Sequence, residues 1–374
     1  MKYICISLLC AIVITVMLRD LRGEESVAKL NEGLFLGKPV VVDNITAWPV
    51  FSTRPQEDAD EYVTLAQAQE KGLARVRETG SANPDVTVNQ QAASNLQRRQ
   101  VEEGGGAHVN ELIIENRGDK AILVLAGTLV KGGKQDRQIA EDFIILPGKS
   151  VPVGAFCVEH GRWTANREEK DTGGLFQAQK CLAVKEVRAS GQYNKDQGEV
   201  WKNVALSNAK AQKEPGTGTL LASVEETDKE ALSRRERIRK ALAERFNAPD
   251  SASVGMAYAV DGKIKEIRTF SHTKIFALYR ETLVNTVAME GDLAQRVALA
   301  DKRNVYDKPA DVQRAVDLIK EAEKATEQIT DTKADNRNGY KKSQTVNNGN
   351  LYMNDVKNQP KTSSPVSQSW QAND

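Results

Sequence analysis

Two short polar clusters stand between apolar runs in the middle of the chain: Lys131-Gly132-Gly133-Lys134-Gln135-Asp136-Arg137 and Cys157-Val158-Glu159-His160-Gly161-Arg162-Trp163. A guanidinium offers a flat fork of donors that fits a carboxylate at two points, an amide adds a donor and an acceptor, and an indole adds an apolar plate. Gln135, Asp136, Arg137, Glu159, Arg162 and Trp163 are therefore the candidate binding residues, for a carboxylate or a sugar, provided the clusters meet in space. The same groups support a hydrolase-like alternative, with Glu159 or Asp136 as acid or base and an arginine stabilising developing charge. They also support a purely structural reading, in which Arg137 or Arg162 pairs with Glu159 or Asp136 to tie strands together.

Other chemistries find less support. Cys157 and His160 fall on opposite faces of a strand, so a nucleophile pair would need a bend near Gly161. His108, His160 and His272 are the only histidines, and no His/Cys/carboxylate pair repeats at zinc spacing. No calcium loop is present, and no metal or other cofactor is expected. Gly132-Gly133 can form an anion-cradling turn, but no strand–helix phosphate motif follows it.

The clusters must be positioned by the apolar runs around them. His108 to Glu115, Ala121 to Val130, Phe143 to Leu146 and Val151 to Val158 read as strands, with Pro147-Gly148 as a turn. Upstream, Leu34 to Leu36, Val40 to Val42 and Ile45 to Phe51 read as short strands, and Leu73 to Glu78 as another. Thr64 and Gln67 form a capping-box pair opening a helix that Gly72 stops. Leu175 to Ala189 is helix or strand, and Val224 to Phe246 is helical, with Leu232, Ile238, Leu242 and Phe246 on one face and Arg234 to Arg239 mostly solvated. Asp261-Gly262 marks a hairpin, and Ser271 is placed to cap a helix running to Met289.

Composition bounds the rest. The 374 residues carry 52 Lys+Arg against 51 Asp+Glu, and that balance argues against a nucleic-acid partner held by bulk charge. Residues 1–23 read as a secretory signal or an anchor: Lys2, then an apolar run from Ile4 to Leu18, short of the roughly 20 residues of a bilayer span. The expectation is an exported protein that touches a membrane only through that segment. Of the four cysteines, Cys157 and Cys181 lie beyond it. They can pair, for about 3 kcal/mol of loop-closure stabilisation, or sit apart as buried thiols.

Residues 24–300 are expected to form one β-rich domain with a surface insertion at 80–106. Residues 301–330 hold an amphipathic helix through Val312, Ala315, Ile319 and Ala322, and 331–374 is a tail too polar to fold. The expected class is α+β, with a predominantly antiparallel, sandwich-like β core, two or three packed helices and a disordered C-terminal tail.

Four signatures in order give the chain a family likeness. They are Thr64-Leu65 with Ala68, Gly72-Leu73, Val76 and Glu78; Leu125-Ala126-Gly127 with Gly132 to Arg137; Pro152-Val153 leading into Cys157 to Trp163; and Val254-Gly255 with Val260 to Lys263, Phe270 and Phe276. Over roughly residues 30 to 295 the chain resembles the ARG and Rhodanese-Phosphatase-superfamily-associated protein domain family. The resemblance implies one contiguous domain and flags these positions, but it carries no assigned reaction. The functional expectation is a non-enzymatic binding or structural module with an unidentified ligand or protein partner, and the hydrolase-like enzyme is the alternative.

Overall fold

The computed structural model describes residues 26–54, 62–79, 110–167, 170–247, 252–304, 308–324, 327–331, 338–344, 351–358 and 365–372. The expected leader at 1–23 and the insertion at 80–106 lie outside the described residues.

Three β assemblies make the framework. Ten strands form one sheet: β1 (Ser26–Lys29), β2 (Leu34–Gly37), β3 (Val40–Val42), β4 (Ile45–Ser52), β16 (Gly255–Val260), β17 (Lys263–Phe270), β18 (Glu327–Asp331), β19 (Asn338–Gln344), β20 (Leu351–Asn358) and β21 (Ser367–Ala372). Six more close into a barrel in the order β10 (Arg137–Ile139), β12 (Ser150–Cys157), β7 (Glu111–Asn116), β6 (Ala74–Glu78), β15 (Leu175–Leu182) and β9 (Thr128–Gly132). A third sheet joins β11 (Phe143–Ile145), β8 (Ala121–Val124) and β5 (Tyr62–Thr64), with β5 and β8 parallel. A small hairpin, β13 (Asn166–Arg167) with β14 (Lys170–Asp171), stands apart.

The class is α+β with antiparallel sheets, as expected, but the centre is a closed barrel rather than a clear sandwich. Inward–outward alternation is the same in both architectures, and closure is made by the β9–β10 ladder, Arg137↔Val130 and Gln138↔Leu129, which joins the two ends of the strand order. Val76, Leu112, Ile114, Val130, Val153 and Phe176 help fill the interior.

Seven α-helices dress the sheets among the described residues, more than the two or three expected: α1 (Leu65–Glu70), α2 (Lys185–Ala189), α3 (Gln197–Lys210), α4 (Leu221–Val224), α5 (Lys229–Phe246), α6 (Thr273–Ala300) and α7 (Val312–Lys324). A π-turn, Ser190–Asn194, continues α2. The Thr64–Gln67 capping box opens α1, with both reciprocal bonds at 3.1 Å. Asp261 and Gly262 both take positive φ, 50° and 76°, as a two-residue hairpin turn requires. His272 rather than Ser271 caps α6, accepting from the Lys274 N–H at 3.0 Å, and the helix runs on to Ala300.

Two expectations fail for one reason, polar residues that are buried against distant partners. In α5 the packed face is Ala231, Arg234, Arg235, Ile238, Leu242 and Phe246, whereas Leu232 is 40% exposed. Arg234 and Arg235 are not solvated; each donates through Nε to Asp292 of α6, at 2.8 and 2.9 Å. The tail from 331 is not wholly without structure either. Strand β21 pairs with β17 from Glu266↔Gln371 to Phe270↔Ser367 and buries Trp370 among Leu36, Trp48 and Ile267.

Candidate functional site

The barrel ladder brings the two polar clusters together. Arg137 faces Cys157 across β10 and β12, so Asp136 just before β10 lies beside Val158 and Glu159 just after β12. The Val158 N–H donates to the Asp136 carbonyl at 2.9 Å, and the Asp136 N–H donates to Glu159 Oε2 at 2.9 Å. Gln135 Nε2 donates to the Glu159 carbonyl at 2.8 Å. Arg162 grips the same carboxylate with its fork, Nε to Oε1 at 3.0 Å and Nη2 to Oε2 at 2.7 Å. Its remaining donors go to the carbonyls of Gly133 (2.6 Å), Thr164 (2.8 Å) and Gly132 (3.1 Å). Those carbonyls are aimed inward by the glycine turn. Gly132 has φ +138°, and a Cβ there would lie 2.2 Å from the Leu175 carbonyl oxygen, so only glycine fits.

Asp136 is equally occupied. It accepts from the Gly132 N–H at 3.0 Å, from Thr219 Oγ1 at 2.7 Å and from Arg167 Nη1 at 2.5 Å. Burial and the neighbouring Glu159 charge push the Asp136 carboxyl above its ordinary range, against the pull of Arg167. Burial acts on Glu159 in the same sense, but the hydrogen bonds from Arg162 and the Asp136 N–H bring its carboxyl below the usual range. Asp136 is 0% and Glu159 1% exposed. Two carboxylates and two guanidiniums thus form a charge-balanced network whose carboxylates are closed to water.

A groove of about 610 Å³ opens outside this network. Arg75 of β6, Arg117, Lys131 of β9, Arg167 of β13 and Lys170 of β14 line it, with Asp171 as the acidic member of the lining. Three of those cations have acidic partners: Arg117 with Glu115 at 2.7 Å, Lys131 with Glu225 at 2.6 Å and Arg167 with Asp136. Asp171 accepts from the Gly173 N–H at 2.8 Å. Arg75 is half-buried and Lys170 exposed.

A family model for the ARG and Rhodanese-Phosphatase-superfamily-associated Protein domain matches residues 33–359. The chain belongs to that family. No curated protein and no solved structure matches it. The family domain extends beyond the residue-295 limit of the sequence signatures, taking in α7 and strands β18 to β20.

Within the family domain, Gln135, Asp136, Glu159 and Arg162 meet as expected, and Arg137 and Trp163 do not join them. Arg137 follows Asp136 on a strand and so points the other way, toward the thiol of Cys157. Trp163 is 54% exposed and forms no wall of the network. Cys157 and Cys181 are both free and buried; the first meets Arg137, the second lies against the Thr286 hydroxyl at 3.8 Å, and no disulfide joins them. His160 stands edge-on to Trp201 with ring centroids 4.6 Å apart, so it too is used in packing. Among the described residues no group of three His, Cys, Asp or Glu is placed to hold a metal ion, and no helix is long and apolar enough to cross a membrane.

Arg75, Lys131, Arg167 and Lys170 were not among the expected binding residues. A signal for one of them exists: in β6 the core-packed Val76 follows Arg75, so strand alternation turns Arg75 to the other face, where it is half-buried, although Arg77 on that same face is only 5% exposed. Arg167 and Lys170 sit in a polar stretch whose hairpin has no strong turn signature. Their convergence depends on the β9–β15 pairing, which is a tertiary fact.

Proposed function

We propose that the chain is an exported, non-enzymatic binding module that takes an anionic ligand in the groove beside the closed network. The observation that carries this reading is the lining: Arg75, Arg117, Lys131, Arg167 and Lys170 face one volume of about 610 Å³ with only Asp171 against them among the lining residues. That size suits a ligand of two or three sugar or amino-acid units. Guanidinium groups recognise carboxylate or sulfate oxygens in pairs, and a lysine adds a mobile point charge. The acidic partners of Arg167 lie behind it in the network, so its orientation is set before a ligand arrives.

Burial of Asp136 and Glu159 favours binding over hydrolysis, since a general acid must reach the atom it protonates. Export rests on the N-terminal pattern of Lys2 and the apolar run to Leu18. A thermal-shift comparison tests the binding reading. Trigalacturonate should raise the melting temperature at low salt and progressively less as salt is added. Neutral maltotriose should leave it unchanged, and equal responses to the two sugars would defeat the proposal.

A further inference from the structure

Arg167 belongs to the groove and to the buried network at once. Its side chain lines the groove, while its Nη1 lies 2.5 Å from Asp136 Oδ2 and 3.6 Å from Glu159 Oε2. Arg162 Nη2 is shared in the same way, 2.7 Å from Glu159 Oε2 and 3.5 Å from Asp136 Oδ1. Two carboxylates thus divide two guanidiniums between them, and with both ionised the four charges cancel.

An anion held by Arg167 upsets that balance, because it is a third negative charge around the same two guanidiniums. Like charges in an enclosed site do not all stay ionised, and the carboxyl with the weakest hold on its charge takes up a proton. The other groove cations pass on no such demand. Lys131 pairs with Glu225, whose side chain is 44% exposed and is hydrated when the lysine turns away. Glu115, the partner of Arg117, has a second arginine, Arg75, directly opposite it on β6.

The contacts decide which carboxyl yields. Glu159 is gripped by the Arg162 fork and by the Asp136 N–H, all of which lie behind the groove. Asp136 accepts a guanidinium hydrogen bond from Arg167, for which the ligand competes, and otherwise bonds from the neutral Gly132 N–H and Thr219 hydroxyl. A protonated carboxyl keeps both neutral contacts, since a hydroxyl donates as well as accepts. The same asymmetry exists before any ligand arrives: burial and the Glu159 charge push the Asp136 carboxyl up, whereas that of Glu159 lies below its usual range. The charged groups farther out are paired, Lys131 with Glu225 and Lys134 with Glu78, and His160 turns its ring to Trp201.

We infer that an anion enters the groove together with a proton, taken up by Asp136, so that the groove holds its ligand more tightly as pH falls. This coupling rests on the groove being the ligand site, as proposed above. Where the proton is bound in the complex but not in the free protein, affinity rises up to about 10-fold for each unit of falling pH, and it levels off on either side.

Calorimetric titration of the full chain with trigalacturonate, from pH 6 to 8 at fixed ionic strength, tests it. Repeating the titration in imidazole and in PIPES, buffers with different heats of ionisation, counts the protons. The uronate carboxyls stay ionised over this range, so the proton goes to the protein. Uptake should approach one proton per ligand, with affinity rising toward pH 6. Asp136→Asn mimics the protonated carboxyl, so at pH 8 it should bind at least about 5-fold more tightly than the parent and take up no proton. Should that variant fold poorly, infrared difference spectra of the parent labelled with carbon-13 aspartate serve instead. Ligand should then bring up a carboxylic-acid band that moves with the label. Binding without proton uptake, uptake that persists in Asp136→Asn, or a band that ignores the label overturns the coupling and leaves the groove reading standing. Absence of binding at every pH defeats both.

Discussion

The backbone N–H of Asp136 donates to the carboxylate of Glu159 across 2.9 Å, fastening the entry of β10 to the exit of β12 beyond the last rung of their ladder. Arg162 grips the same carboxylate and, through the carbonyls of Gly132 and Gly133, the glycine turn as well. Three chain segments are thereby held at one end of the barrel, beside the groove.

Breaking this fastening on one side only should be costly. Arg162→Ala leaves the Glu159 charge buried with half its donors gone, and a loss of about 3–5 kcal/mol is expected. Replacing both, as Arg162→Met with Glu159→Leu, should recover much of that loss. Urea denaturation midpoints of the two variants check the order; a double variant less stable than the single one would contradict the assignment.

Acid stability should depend on Glu226. Burial acts to raise its carboxyl, but Lys213, the N–H groups of Asp228 and Thr227, and Arg296 together bring it down to about 2. A carboxyl lowered from 4.5 to about 2 on folding adds stability that is fully present above pH 4.5 and is lost as pH falls toward 2. Glu226→Gln should therefore be less stable than the parent at pH 7 and show a flatter stability curve between pH 4.5 and 2. Parallel curves for the two proteins would count against it.

Both described cysteines should resist labelling until the chain unfolds. Cys181 is buried beside Thr286 and its thiol is pushed up to about 11, and burial raises Cys157 as well. Ellman's reagent at pH 8 should react only slowly with native protein, and peptide mapping after unfolding should find both as free thiols. A Cys157–Cys181 cross-linked peptide would overturn the arrangement around Arg137.

Strand β21 should be integral to the fold. Trp370 is 3% exposed and packs in the cluster that α7 covers, so Trp370→Ala should cost about 3–5 kcal/mol. Chemical denaturation reads this directly. An unchanged midpoint would return the C-terminal segment to the disordered tail that its composition predicts.

What was legible in the sequence was local or nearly so. The Thr64–Gln67 box, the Asp261-Gly262 turn and the strand runs flanking the polar clusters depend on near neighbours, and each is present. The meeting of Asp136 with Glu159 also follows from short range, since β10 and β12 are joined by a single short strand, β11, and a turn. What could not be read depends on partners far along the chain. Arg234 and Arg235 look solvated until Asp292 is seen beside them, and Ser367 to Gln371 look disordered until Arg268 and Glu266 face them. Polarity marks surface only when no buried partner exists, and in this fold several buried polar residues have partners 50 or more positions away.

The groove is the central claim, and titration calorimetry with trigalacturonate tests it most directly. The parent should bind with an affinity that falls steeply with salt, and Arg75→Ala with Lys170→Ala should weaken binding at least 10-fold without moving the melting temperature, since Arg75 is only half-buried and Lys170 exposed. Equal binding by the parent and the double variant, or none by either across the salt range, would contradict it.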